Sequence, residues 1–100
     1  MINAMIIDPK DDVAVAIEPI HSGDQVEYLI EGRSEALIAA QDIPIYHKIA
    51  VRDIPEGNPV TKYGEHIGLA AGLIRKGEHV HVHNVTSHRE DLDHAQAGMS

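Results

Sequence analysis

Residues 77–84 read GEHVHVHN, which sets His79, His81 and His83 at every second position with Val80 and Val82 between them. Side chains alternate across an extended strand, so this spacing gathers three imidazoles on one face and sends the valines, with Val85, roughly to the other. Neutral imidazoles offer lone pairs to a divalent metal or carry protons, whereas three charged ones would repel along the face. Adjacent same-face roots lie roughly 6 to 7 Å apart, so rings at i and i+2 converge on one ion while three in a row strain to do so. A pair is the sharper expectation, set against a wholly solvated face. His21, His88 and His94 are scattered and read as solvent-facing residues.

Other groups with chemical capacity surround this run. His47 and Lys48 are adjacent, and the segment KYGE places Lys62 beside Gly64, with His66 following. Lys48 and Lys62 can hold a carboxylate or phosphate as point charges, against the alternative of plain solvation. Asp8, Asp11 and Asp12 follow an apolar run in DPKDD, where capping of a turn is a better reading than a metal cluster.

The elements that must position these groups are short. AMIID, VAVAIEPI, KIAVRDI and HVHVHNV are rich in β-branched residues and bounded by Pro, Gly and Asp, which predicts strands. Between them a spacing recurs: Ile20, Gly23, Val26; Ile54, Gly57, Val60; Ile74, Gly77, Val80. Each reads as a strand end, a turn whose glycine takes positive φ without steric penalty, and a new strand. A fourth segment, Ile43 to Ile49, keeps the apolar ends but carries Tyr46 in place of the glycine, so a specific side chain replaces conformational freedom beside His47. Pro59 removes a backbone donor where a strand begins, which suits an edge. Ser34 to Gln41 has a capping residue and good helix formers before Pro44, predicting a helix of at most two turns. EHIGLAAGLI, interrupted by Gly68 and Gly72, is read as strand. The sequence therefore describes a mostly β, strongly turned domain over residues 1–85 and a polar tail over 86–100 that is frayed or ordered by a partner.

Composition bounds the function. One hundred residues fit a single small domain, and with three tyrosines, no Phe and no Trp its core must be aliphatic. Eight Lys and Arg against sixteen Asp and Glu leave a charge of −8, with no basic stripe, which argues against nucleic acid. No segment approaches a membrane span and no secretory pattern opens the chain, so a cytoplasmic protein is expected. The absence of cysteine excludes disulfides and thiolate metal sites. Exposed sheet edges on so small a domain invite pairing with another chain or with a second copy.

Residues 43–85, through HKIAVRDI, KYGEHIG and GEHVHVHN, resemble the N-terminal SAF domain of the altronate and galactarate dehydratases; residues 1–42 match more loosely. The resemblance implies a β-clip fold and a place in a lyase that removes water from a sugar acid. It implies a divalent metal, iron(II) or manganese(II), held mainly by a large partner chain. A similar small subunit serves sulfolactate sulfo-lyase, which eliminates sulfite from a related 2-hydroxy acid. Both reactions take a proton from the carbon beside a carboxylate and expel a group from the next carbon. By position, His47, His81 and His83 are expected at the chemistry, Lys48 and Lys62 on the substrate, and His79, His81 and His83 at the metal. The chain is expected to be either a small subunit or an excised N-terminal domain of such an enzyme, inactive without the large catalytic region. The competing class is a non-catalytic module that binds an acidic sugar or a protein; a metal-buffering protein fits less well because the other histidines are scattered.

Overall fold

A computed structural model describes residues 1–86, so the polar tail expected over 86–100 lies, apart from Thr86, outside the described residues. Among these residues nine short strands form three antiparallel sheets. β1 (Ala4–Met5), β2 (Val13–Ala16), β5 (Lys48–Ala50) and β8 (His79–Val80) make a four-stranded sheet in the order β1-β2-β5-β8. β3 (Gln25–Ile30) and β4 (Arg33–Ile38) form a hairpin, while β6 (Pro59–Lys62), β7 (Glu65–Ala70) and β9 (Val85–Thr86) form the third sheet. The expectation of a mostly β, β-clip architecture holds. No helix occurs among the described residues, and none is therefore long and apolar enough to cross a membrane.

The recurring turns are all present, and the structure extends their pattern by one residue type. An alanine precedes each turn isoleucine by four positions: Ala16 before Ile20, Ala39 before Ile43, Ala50 before Ile54 and Ala70 before Ile74. All eight residues are buried. The units pair two by two. In the first pair, Ile20 and Ile43 exchange both backbone hydrogen bonds, the Gly23 N–H donates to the Ala39 carbonyl, and the Tyr46 N–H donates to the Ala16 carbonyl. In the second pair, Ile54 and Ile74 exchange theirs, Gly57 donates to Ala70, and Gly77 donates to Ala50. Backbones that cross this closely leave room only for a methyl group, which explains the alanines.

Each unit then closes a β-turn by an i+3 to i bond: Asp24 to His21, His47 to Pro44, Asn58 to Pro55 and Glu78 to Arg75. The third turn residue has φ of 93° at Gly23, 68° at Tyr46, 83° at Gly57 and 93° at Gly77. Positive φ at that position is the type II signature, normally met by glycine. Tyr46 adopts it as a non-glycine residue while its side chain stays exposed.

Two aliphatic clusters follow the two pairs. One holds Ile20, Val26, Ile43 and Ile49 with Ala14 and Ala16; the other holds Val13, Ile54, Val60, Ile74 and Val80 with Ala50. The central sheet divides them, because alternate residues of β2 and β5 point to opposite sides: Ala14 and Ile49 to the first cluster, Val13 and Ala50 to the second.

Ser34 to Gln41 departs from its expected helix. Arg33–Ile38 is strand β4, paired with β3 residue for residue from Ile30↔Arg33 to Gln25↔Ile38. Glu31 and Gly32 both have positive φ, at 50° and 78°, giving the two-residue hairpin turn whose twist matches the strands. Burial of Leu37 opposite Val26 in the first cluster outweighs a local propensity worth only tenths of a kcal/mol per residue. EHIGLA is strand β7, as expected, and Gly68 is required there: a Cβ would stand 2.2 Å from the Thr86 carbonyl oxygen on β9.

The acidic run after β1 is structural. Asp11, 1% exposed, accepts from the backbone N–H groups of Asp8 and Gly64, while Asp12 accepts from Thr61 and lies 3.7 Å from the Arg52 guanidinium. These carboxylates fasten the N-terminal loop to the β6–β7 hairpin, in keeping with the capping reading.

Candidate active site

β5 and β8 place the histidines. Their register pairs Ile49 with His79 and Lys48 with Val80, so one step further along the ladder sets His47 opposite His81, with His79 diagonal to His47. The rings meet accordingly: His47 and His81 stack with centroids 4.1 Å apart, and His47 Nδ1 lies 2.9 Å from His79 Nε2. His79 and His81 are nearly parallel at 5.7 Å. His83 joins from outside, tilted against His79 at 5.1 Å.

The backbone beneath these rings differs from the expected strand. Extended pairing covers only His79 and Val80; residues 81–84 form a turn, and Val82 is 82% exposed whereas Val80 is fully buried. Asn84 causes the change. Its side chain accepts from the His81 N–H and donates to the His79 carbonyl, and its own N–H bonds back to His81. A side chain that satisfies nearby backbone groups offers the chain an alternative to the ladder. The histidines still gather, because the turn folds His83 back over His79. Gln41 adds a further brace by accepting the His79 N–H at 2.9 Å.

His47, His79 and His81 each offer one ring nitrogen, all within 4.8 Å of one another. This trio takes His47 from the turn of the first pair in place of His83. Nδ1 of His81 is shut off from solvent without a hydrogen-bond partner. Burial, followed by the neighbouring His83, His47, His81 and Lys48, holds the His79 imidazole below its ordinary value of 6.5. His81 is lowered by desolvation first, then by His47, Lys48 and His83. Both rings therefore favour the neutral, lone-pair-bearing form at neutral pH. An all-imidazole donor set with an orphaned buried nitrogen fits a borderline divalent ion such as iron(II) or zinc.

Lys48, Lys62 and His81 line one open cleft of about 310 Å³, whose apolar wall is made by Ile67, Val82 and Val85. Burial and the charge of Lys62 both lower the Lys48 ammonium from its ordinary 10.5. Two cations facing one cleft in a chain of charge −8 create a local site for an anion. Lys62 also lies 4.7 Å over the Tyr63 ring.

The altronate/galactarate dehydratase SAF domain model matches residues 2–88. The chain belongs to this family. Relatives of the SAF domain include the (2R)-sulfolactate sulfo-lyase subunit alpha of Chromohalobacter salexigens, 38% identical over 91 residues that cover 88% of this chain and 97% of that subunit. The altronate dehydratase of Escherichia coli strain K12 is 39% identical over 83% of this chain, and that of Bacillus subtilis strain 168 is 34% identical over 86%. In both dehydratases the matched region is 16% of the whole protein.

Sequence reasoning singled out all five of His47, Lys48, His79, His81 and Lys62, and the structure brings them to one end of the β5–β8 ladder and its adjoining cleft. It did not single out Asn84 or Gln41. Asn84 had a signal, an Asx residue three positions after His81; Gln41 had none, because its role depends on the packing of two distant segments.

Proposed function

We propose that this SAF domain is a working part of a lyase acting on a carboxylate-bearing 2-hydroxy acid, in the first instance a dehydratase of the altronate or galactarate type. Its active site is completed by a large chain. One observation carries the reading: the His81 imidazole, lowered from its ordinary pKa, and two lysines line the same cleft, in a chain of the dehydratase SAF family. Lys48 and Lys62 hold the substrate carboxylate as paired point charges. His81, which lines the cleft, takes up or delivers the proton that moves during elimination, and His47, stacked on it, keeps its ring oriented. His83 stands at the outer rim, where a partner's surface or the substrate reaches it. A divalent ion, iron(II) or manganese(II), held mainly by the large chain, would supply Lewis-acid polarisation of the substrate oxygens when bound.

A second reading within the same chemistry is the alpha subunit of a sulfo-lyase, favoured by 38% identity over most of the chain to such a subunit. The two readings differ in the leaving group alone. Co-expression with a large lyase chain of the altronate dehydratase or sulfo-lyase type, followed by assays on altronate, galactarate and sulfolactate with and without iron, separates them. Elimination from none of the three, in a complex that forms and binds iron, would overturn the enzymatic reading in favour of a non-catalytic acid-binding module.

A further inference from the structure

We infer that this chain holds a divalent transition-metal ion by itself, on His47, His79 and His81, with a fourth coordination position open toward the Lys48–Lys62 cleft. The inference rests on the lyase reading and revises one role in it: with an ion bound, His81 is a ligand and no longer the proton carrier. In a tetrahedral site with metal–nitrogen bonds near 2.0–2.1 Å, ligand nitrogens stand about 3.3 Å apart. The trio brackets that spacing: one nitrogen pair is already at 2.9 Å, and all lie within 4.8 Å. Small ring rotations would replace the His47–His79 contact with two bonds to one ion, and a ring nitrogen of His81 supplies the third.

The supports are independent of the rings. His47 sits in a turn fixed by its bond to Pro44, while His79 and His81 are held by Gln41 and Asn84. These bonds fix the backbone from which the three rings project, so the cluster is held together before an ion arrives. Three nitrogens and no carboxylate select zinc, cobalt or iron over magnesium and calcium. The open position faces an anion site, so a substrate carboxylate or hydroxyl oxygen is the natural fourth ligand.

The test uses the full chain, free of any affinity tag, with His88→Ala and His94→Ala as the starting background so that other histidines do not compete. Titration calorimetry with zinc alone should give one site per chain, and cobalt(II) should produce the intense visible bands of a tetrahedral complex. Magnesium should give no heat. His47→Ala and His81→Ala should each weaken zinc by more than the roughly tenfold to hundredfold that loss of an outer brace brings. His83→Ala and His21→Ala should leave affinity within about twofold; circular dichroism confirms that each variant is folded. Absence of zinc binding in the folded background chain, or binding that disappears with His83 and survives loss of His47, overturns the assignment. Because the readout is metal affinity without the large chain, its failure leaves the lyase reading to be judged separately by turnover.

Discussion

The two paired units of the fold, residues 16–49 and 50–80, make the same set of backbone hydrogen bonds yet differ at one turn. Isoleucine exchanges with isoleucine and the third turn residue donates to an alanine carbonyl in both. The first pair, however, places Tyr46 at positive φ where the second has only glycines. The difference shows that the bond network sets the turn conformation, and that glycine eases it without being required for it. It also locates the chemistry. The glycine-free turn is the one that delivers His47 to the β5–β8 ladder, while its counterpart, Arg75–Glu78, leads directly into His79.

Replacing Gly77 by Ala should test that equivalence most severely. Its Cβ would meet the Ile38 carbonyl oxygen at 2.6 Å and the Ala40 nitrogen at 3.2 Å at a φ of 93°. A loss of about 3 kcal/mol is expected from the left-handed strain and overpacking together, read by urea denaturation. A loss as small as that of Gly23→Ala, whose added Cβ meets nothing within 4 Å, would mean that the close approach between the two pairs relaxes freely.

His81→Ala in the reconstituted two-chain enzyme should lower kcat/KM by about 100-fold, near the lower bound for loss of a proton-transferring group. Lys62→Ala should act mainly through KM. Unchanged turnover in both variants would leave the cleft without a role in the reaction.

Tyr46→Gly sharpens the comparison at lower amplitude. Left-handed strain on a non-glycine residue is worth roughly 1–2 kcal/mol, partly offset by the greater unfolded-state freedom of glycine. Because Tyr46 is 72% exposed, little packing is lost, and stability should rise by up to about 1 kcal/mol in the same denaturation assay. A fall instead would show that the tyrosine ring makes an interaction that outweighs its backbone strain.

The smallest expected effect is on pH dependence. His79 and His81 are held below 6.5 in the folded chain, so the unfolded chain binds more protons in the window beneath that value. Their contribution is neutral above it, and stability is lost as pH falls through 6.5 towards the folded values. Melting of the metal-free chain from about pH 7.5 to about pH 5.5 should show a declining Tm, flattened in His79→Gln and His81→Gln. A Tm that climbs on acidification would contradict the depressed imidazoles.

Much of this was legible in the chain because it repeats itself. Three Ile-x-x-Gly-x-x-Val segments announce the turns, and Tyr46 stands out only against them. The alanine four residues earlier is visible in the sequence too, but its meaning depends on which unit crosses which, and that is a tertiary fact. The helix expected over Ser34 to Gln41 failed for the same reason: β3 supplies a partner six residues long that local propensity does not register. At the site, alternation correctly gathered the imidazoles while misdescribing the backbone, since the side chain of Asn84 ends the strand after Val80. His47 was recognised from its odd turn, but its place opposite His81 follows from strand register across an interval of more than thirty residues.

That interval has a consequence for the life of the protein. His47 is translated well before His79 and His81, and it meets them only when β8 docks on β5, at the seam between the two paired units. A nascent or half-unfolded chain thus displays His79, His81 and His83 as a local group that lacks His47. The three-ring cluster is complete only once that seam has closed, so zinc affinity, where the proposed site holds, would report folding across both paired units.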